Sequence, residues 1–184
     1  MDIESELAQL KATVQHLKNR QDILDVIMRE SRGRDRHDAE LTASCYWPEG
    51  ADEHGPVPLP ATEYPEKANQ GHAGAFCMNQ HKLANHLCEI DGDTAYCETY
   101  VVGTFLSHDG LTATMAAGRY MDQLEKRNGE WRILWRRSTV ETAMQGDASW
   151  LQRPAVRGFL KGTRDRSDLS YQRPYDIGGV GARW

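Results

Sequence analysis

The chain has 184 residues, the length of one domain with room for a real hydrophobic core. Hydrophobic residues make up 39% of it and charged residues 27%, as in a globular protein, and a net charge of −5 argues against a nucleic-acid-binding face. The sequence starts without a secretory signal and has no long apolar run, so we expect a soluble, cytoplasmic protein that binds neither nucleic acid nor a membrane.

The first third of the chain predicts helices. Apolar residues recur at three- and four-residue steps from Leu7 to Leu17, which indicates a helix whose narrow apolar stripe either pairs with another subunit or caps the domain's own core. A second helix is predicted to begin at Asp22 as its N-cap, with an apolar face of Ile23, Val26 and Ile27. Asp38 is the predicted N-cap of a third helix over residues 39–45.

Prolines recur in residues 47–65, which predicts a long loop with at most short strands. A helix is expected again from about Pro65 to Phe76. From His81 onward the hydrophobic period changes to two. Strands are predicted over residues 81–90, 93–106, 112–127 and 130–140, separated by Asp-Gly and Asn-Gly turns that favour hairpins. The sequence therefore predicts an α+β fold in which N-terminal helices pack on one face of a curved antiparallel sheet.

The last forty residues lose this periodicity. We divide the chain into a domain over residues 1–145 and an irregular C-terminal extension over residues 146–184. The extension is expected to wrap the domain or a neighbouring subunit, and disorder is the alternative interpretation.

His81 is the first candidate for chemistry. Strand alternation places His81 and Asn85 on one face with Leu83 and Leu87, and Lys82 and His86 on the other. If the first face meets the helices, an imidazole suited to proton transfer near neutral pH lies in an apolar concavity. An isolated histidine at such a position is more often structural.

Other catalytic and metal-binding patterns find little support. His81 and His86 point to opposite sides of the predicted strand, and His54 and His72 lie in loops without the spacing of a zinc site. The four cysteines show no C-x-x-C pair, so reduced thiols, no metal and no cofactor are expected. No nucleophile elbow, Walker loop or dinucleotide fingerprint is present. Asp35 lies among arginines, which by itself indicates a solvated surface cluster.

Several segments together resemble a known family. The run Arg-Gly-Arg-Asp-Arg-His-Asp-Ala-Glu-Leu at residues 32–41, followed by residues 46–55, is similar to the SnoaL-like branch of the nuclear transport factor 2-like superfamily. Residues 81–85, 92–95, 118–120 and 129–133 continue the similarity, which covers about residues 5–145. It implies a cone-shaped α+β barrel with a pocket at its wide end. Members include scytalone dehydratase, bile-acid 7α-dehydratase and hexachlorocyclohexane dehydrochlorinase.

The resemblance also implies site residues. Such enzymes use an Asp–His pair without a cofactor, and Asp35 and His81 occupy the corresponding positions. Arg136 matches a pocket arginine on the last strand. Five residues before the aspartate these relatives have tyrosine or lysine, whereas this chain has Glu30, which either binds a substrate hydroxyl, carries a second proton or faces the surface.

The expected activity is that of a cofactor-independent lyase or dehydratase that acts on a hydroxylated aromatic or polycyclic small molecule, such as a lignin-derived diarylpropane. Asn85 and Arg136 are expected to stabilise negative charge on substrate oxygen, and Tyr100 or Tyr120 to donate a proton to a leaving group. An isomerase and a non-catalytic ligand binder or dioxygenase-small-subunit-like protein remain alternatives. A homodimer or homotrimer is expected.

Overall fold

The computed structural model describes residues 2–184. Its helices are α1 (Ile3–Asp35), α2 (Ala39–Ser44) and α3 (Tyr64–Ala75). Its strands are β1 (Tyr46–Glu53), β2 (Leu59–Pro60), β3 (Met78–Asp91), β4 (Thr94–Leu106), β5 (Thr112–Arg127), β6 (Glu130–Ser138) and β7 (Thr142–Asp147). The α+β class, with helices packed on one face of a curved sheet, is confirmed. In the described part of the chain no helix is both long enough and apolar enough to traverse a lipid bilayer.

The sheet is mixed, with the strand order β2-β1-β6-β5-β4-β3. The predicted antiparallel meander from β3 to β6 is confirmed. The prediction of a long loop with at most short strands over residues 47–65 allows for β2 but not for the eight residues of β1, which pairs in parallel with β6. A register shift between Tyr46 and Ala51 accommodates Pro48, which is how proline is tolerated in a strand. A further strand outside the four predicted ones, β7, pairs with the first half of β5.

The first two predicted helices are one continuous helix. Asp2 caps α1 by accepting a hydrogen bond from the Ser5 amide at 2.8 Å. Asp22 does not begin a helix; its carboxylate pairs with Lys18 one turn earlier. No glycine or proline lies between Asp2 and Asp22, so the helix continues through Asp22 although aspartate is a common N-cap residue. The apolar stripe of the first half stays exposed, so it does not cap the domain's own core.

The second half of α1 packs on the concave face of the sheet. Ile23, Val26 and Ile27 are buried against strand residues that include Ala95, Leu124, Trp131 and Ile133. The helix ends at Asp35, and His37 turns the chain with a φ of 50°. At Gly33 an added Cβ would lie 2.4 Å from Thr42 Oγ1, so glycine allows α2 to pack closely against the end of α1. This contact fixes the position from which Asp35 projects.

The C-terminal residues follow β7 as short 3-10 turns and irregular chain. They pack beside the end of α1, where Asp168 pairs with Arg36 at 3.0 Å and the Tyr171 hydroxyl donates to Asp38 at 2.7 Å. The extension therefore contacts its own chain, near the residues that the family resemblance had singled out.

Candidate active site

Asp35 and His81 form a buried pair between α1 and β3. The Asp35 carboxylate accepts a hydrogen bond from His81 Nδ1 at 2.7 Å and from the His81 backbone amide at 2.9 Å. The side chains are 9% and 3% exposed, respectively. The solvated arginine cluster that the local sequence suggested around Asp35 is therefore not what forms. Because Nδ1 donates to Asp35, the lone pair of the ring lies on Nε2.

Asn79 completes the environment of the aspartate, although it was not among the predicted site residues. Its side-chain amide donates to Asp35 Oδ1 and to the Arg34 carbonyl, both at 3.2 Å. Asn79 lies two residues before His81 on β3, so strand alternation puts both on the inner face. Extending the strand alternation from His81 back to Asn79 would have predicted this inward position.

The protein environment favours the neutral form of His81. Burial lowers the pKa of its imidazole, and the Arg34 guanidinium lowers it further, while the hydrogen bond to Asp35 acts in the opposite direction. A neutral ring with a free Nε2 is a proton acceptor at neutral pH.

A cavity of about 170 Å³ adjoins His81. Arg34 and Tyr120 line it together with three apolar positions of the sheet, Val101, Phe105 and Ala116. The site thus combines a base with a cation and a phenol beside apolar side chains, which is the usual composition of a small-molecule site. An open groove of about 590 Å³ between α1 and the β5–β6 turn, lined mainly by charged side chains such as Lys18 and Asp22, lacks such a combination.

Arg34 is the cation of this cavity. The local sequence had suggested a solvated surface cluster for the arginines around Asp35, but the Arg34 side chain is 2% exposed. Its Nη1 donates to the Tyr120 hydroxyl at 3.4 Å, and its nearest carboxylate, on Glu30, is 4.0 Å away. Arg34 continues the buried face of α1, in which three- and four-residue steps connect Ile23, Ile27, Glu30 and Arg34. Its burial could therefore have been predicted if polar residues had been included in the helical periodicity.

Two further histidines surround Arg34. Its Nη1 lies 3.2 Å from His54 Nε2, and its Nη2 lies 3.4 Å from His72 Nε2. Since a guanidinium only donates, both Nε2 atoms accept, and both rings are neutral. Burial is the main cause that lowers their pKa values, followed by Arg34, and the pKa of His72 falls to about 2. His54 and His72 therefore belong to the site as polar lining rather than as loop residues.

These histidines predict acid destabilisation. The unfolded chain binds protons below about pH 6.5 that folded His72 binds only near pH 2, so the free energy of unfolding falls as the pH is lowered through this range. The expected slope is about 1.4 kcal/mol per pH unit for each such histidine. We expect His72→Gln to remove that contribution in urea unfolding between pH 6 and 4. His16→Gln, on the exposed half of α1, is the control. Identical slopes for His72→Gln and the unmodified chain would contradict this assignment.

Arg136 and Glu30 lie deeper than predicted. Arg136 contacts both Asp122 oxygens, at 2.6 and 2.9 Å, and also pairs with Glu30 Oε2. All three side chains are fully buried. Arg136 is saturated by carboxylates and does not line the 170 Å³ cavity, so Arg34 takes its place in the proposed site. Glu30 does not face the surface; it neutralises Arg136.

A bulge changes the placement of Asn85. The register of β3 against β4 shifts between Leu83 and His86, which reverses the alternation. Asn85 is consequently exposed on the outer face, and the prediction that it shares a face with His81 is wrong. His86 instead points inward, contrary to the prediction. Tyr100 is also on the outer face, 40% exposed, whereas Tyr120 is buried at the cavity.

Known structures share this fold. A putative scytalone dehydratase from Novosphingobium aromaticivorans is 16% identical, with a TM-score of 0.65 over 72% of this chain and 90% of that one. A hexachlorocyclohexane dehydrochlorinase from Novosphingobium barchaimii is 16% identical, with a TM-score of 0.64 over 73% and 94%. A protein of unknown function from Mycobacterium tuberculosis is 26% identical, with a TM-score of 0.63 over 70% and 75%.

Sequence comparison places the chain in one family. No curated protein is similar enough in sequence to count as a match. The family profile described as the SnoaL-like domain matches residues 15–137, which include most of α1 and most of the sheet. The chain therefore belongs to the SnoaL-like family.

Proposed function

We propose that the protein is a cofactor-independent lyase in which Asp35 and His81 perform acid–base catalysis. The observation that carries the proposal is the buried carboxylate that holds His81 Nδ1 at 2.7 Å and leaves Nε2 as the acceptor beside a cavity. Asp35 fixes the tautomer and stabilises the imidazolium that forms when Nε2 takes up a proton. The family's dehydratase-like and dehydrochlorinase-like structures support an elimination.

Arg34 and Tyr120 supply the remaining chemistry. The Arg34 guanidinium lies in a water-poor site and stabilises negative charge that develops on a substrate oxygen or phenol ring. Because Arg34 donates to the Tyr120 oxygen, the phenol proton remains available to the cavity. Burial raises the pKa of Tyr120, which keeps the phenol protonated as a donor to a departing hydroxyl.

We propose a hydroxylated substrate with two aromatic rings, such as a lignin-derived diarylpropane diol. A second, mainly apolar cavity of about 320 Å³ adjoins the first, and Arg34, His54 and His72 line both. In a 1,3-diol, His81 would remove the proton of the terminal hydroxyl and the carbon–carbon bond would break to release formaldehyde. The electron pair then forms an alkene as the second hydroxyl leaves as water with a proton from Tyr120. In simple dehydration His81 removes a carbon-bound proton instead.

The test is product analysis by mass spectrometry after incubation with diarylpropane diols and steroid alcohols. We expect products that have lost water, or water together with formaldehyde, and a large reduction in their rate of formation with Asp35→Asn. A product of unchanged mass would assign an isomerase. A ligand that binds without any product would assign a binding protein. Either of these two results contradicts the proposed lyase.

We also propose that two copies of the chain pair through the exposed half of α1. Five apolar side chains of this half are 48–83% exposed: Ile3, Leu7, Leu10, Val14 and Leu17. They follow one another at alternating four- and three-residue steps, which is the a/d pattern of a coiled coil. Val14 at a with Leu10 and Leu17 at d is the combination that favours two strands, and the proposal rests on these three positions, because Leu7 at a and Ile3 at d do not add to that preference. Glu6 and Lys11 take the flanking g and e positions, where opposite charges pair across a parallel dimer.

This pairing predicts that Leu10→Glu yields a monomer in light scattering coupled to size-exclusion chromatography. A buried charge at a d position cannot be paired in the seam, so the interface is lost. The control Gln9→Glu adds the same charge away from the stripe and is expected to leave the dimer intact. A dimer or trimer that persists in Leu10→Glu would place the contact elsewhere.

A further inference from the structure

Past the bulge in β3, three metal-ligating side chains meet on the inner face of the sheet. His86 and Cys88 are two residues apart on β3 and so share a face, and Cys97 is directly opposite Cys88 on β4. Their ligand atoms all lie within 4.8 Å of one another. Cys97 is buried, while His86 and Cys88 are half-buried at the edge strand. The proposed lyase chemistry uses none of them.

His86 is oriented as a ligating histidine is. Its Nδ1 lies 2.8 Å from Thr99 Oγ1, the residue opposite it on β4. Metal-bound histidines typically donate their second ring nitrogen to such a partner, which fixes the tautomer and the ring orientation. The other nitrogen, Nε2, is buried without a hydrogen-bond partner among the described residues. A buried polar atom that lacks a partner requires an explanation, and a metal ion would provide one.

A cation lies beside the cluster. The Arg20 side chain on α1 donates to the Cys88 carbonyl at 2.9 Å. Its positive charge would partly offset the negative charge of thiolate ligands. On the other side Asp122 lies near Cys97, but its two oxygens are occupied by Arg136. Two thiolates and one imidazole form a ligand set that selects Zn²⁺ over hard cations such as Mg²⁺ or Ca²⁺.

We propose that His86, Cys88 and Cys97 form a binding site for Zn²⁺, separate from the lyase site and with one position open to water. Zn²⁺ bonds sulfur at about 2.3 Å and nitrogen at about 2.0–2.1 Å, so small side-chain rotations bring the three atoms to bonding distance. The ion would clamp β3 to β4 five residues after His81. The site is a consequence of the bulge, because without it His86 and Cys88 would point outward.

The experiment uses the reduced full-length protein titrated with Zn²⁺ by calorimetry and with Co²⁺ by absorption spectroscopy. We expect one ion per chain and a sulfur-to-cobalt charge-transfer band. Cys88→Ser, Cys97→Ser and His86→Gln are each expected to abolish both signals, whereas the control Cys77→Ser, outside the cluster, retains them. Circular dichroism verifies that each variant is folded.

Thr99→Val keeps all three ligands and removes only the orienting hydrogen bond. We expect it to weaken Zn²⁺ binding about 10- to 100-fold, the usual effect of losing such a partner. Absence of Zn²⁺ binding, or a cobalt band that survives His86→Gln and Cys97→Ser, would overturn the proposal. A Cys88–Cys97 disulfide in protein purified without reductant, together with no Zn²⁺ binding after reduction, would overturn it in favour of a redox pair.

Discussion

Replacing His81 with alanine is expected to lower kcat about 10²- to 10⁴-fold, the usual contribution of a positioned general base. His81 Nε2 is the unoccupied acceptor beside the cavity, and the other two histidines there direct Nε2 toward the Arg34 guanidinium. Neither His54 nor His72 can therefore replace His81 as the base. The measurement is steady-state turnover of the substrate found by product analysis, with circular dichroism and urea unfolding to verify the fold.

A matched control lies on the same strand. Asn85 is exposed on the outer face of β3, so Asn85→Ala is expected to keep full turnover. A large loss in this variant would mean that the bulge does not place Asn85 outside the site. Full turnover in His81→Ala would remove the base from the mechanism altogether.

Asp35→Asn tests the partner of the base by a different signature. An amide in place of the carboxylate cannot stabilise the imidazolium, so turnover is expected to approach that of His81→Ala. The hydrogen bond to Asp35 raises the pKa of His81 against burial and Arg34, so its loss lowers that pKa further. The residual activity should accordingly persist to lower pH than in the unmodified enzyme. A merely structural aspartate would not shift the acid limb of the pH profile.

Much of the fold could be predicted because its signals are local. The Asp-Gly and Asn-Gly turns and the two-residue hydrophobic period predict the positions of β3 to β6 to within a few residues. Asp38 caps α2 as predicted, by accepting a hydrogen bond from the Leu41 amide at 3.1 Å. The pairing of Asp35 with His81 depends on a tertiary contact between a helix end and a strand, which only the family resemblance indicated. Local sequence around Asp35 favoured a solvated cluster.

The remaining errors arise from features that local pattern does not encode. The β3 bulge reverses the faces of Asn85 and His86, and nothing in the strand's composition marks where the register shifts. The pairing of β1 with β6 is a long-range parallel contact in a proline-containing segment. The burial of Arg34 differs from these cases because it could have been predicted. The periodicity of α1 places Arg34 on the buried face, and only its charge favoured a position at the surface.

Replacing Arg136 with methionine is expected to destabilise the fold by about 3–5 kcal/mol, because it leaves buried carboxylates without a partner. Glu30 and Asp122 are both fully buried against Arg136, which spans α1, β5 and β6. The free energy of unfolding in urea measures the effect. Arg137→Met is the control: the neighbouring side chain is 72% exposed in its pair with Glu53, and its loss is expected to leave the free energy of unfolding nearly unchanged.

A second variant separates the buried charge from the packing. In Glu30→Met/Asp122→Leu/Arg136→Met no charge of the triad remains, but buried Arg34 loses its nearest carboxylate, so we expect the free energy of unfolding to recover only part of the loss seen in Arg136→Met. If Arg136→Met alone costs less than about 1 kcal/mol, the carboxylates are not held by this arginine. If the triple variant is folded but inactive, the triad serves to position the active-site end of α1, both its depth on the sheet and the Arg34 side chain next to Glu30. Glu30 lies five residues before Asp35 on that helix, so this depth determines whether the Asp35 carboxylate reaches His81.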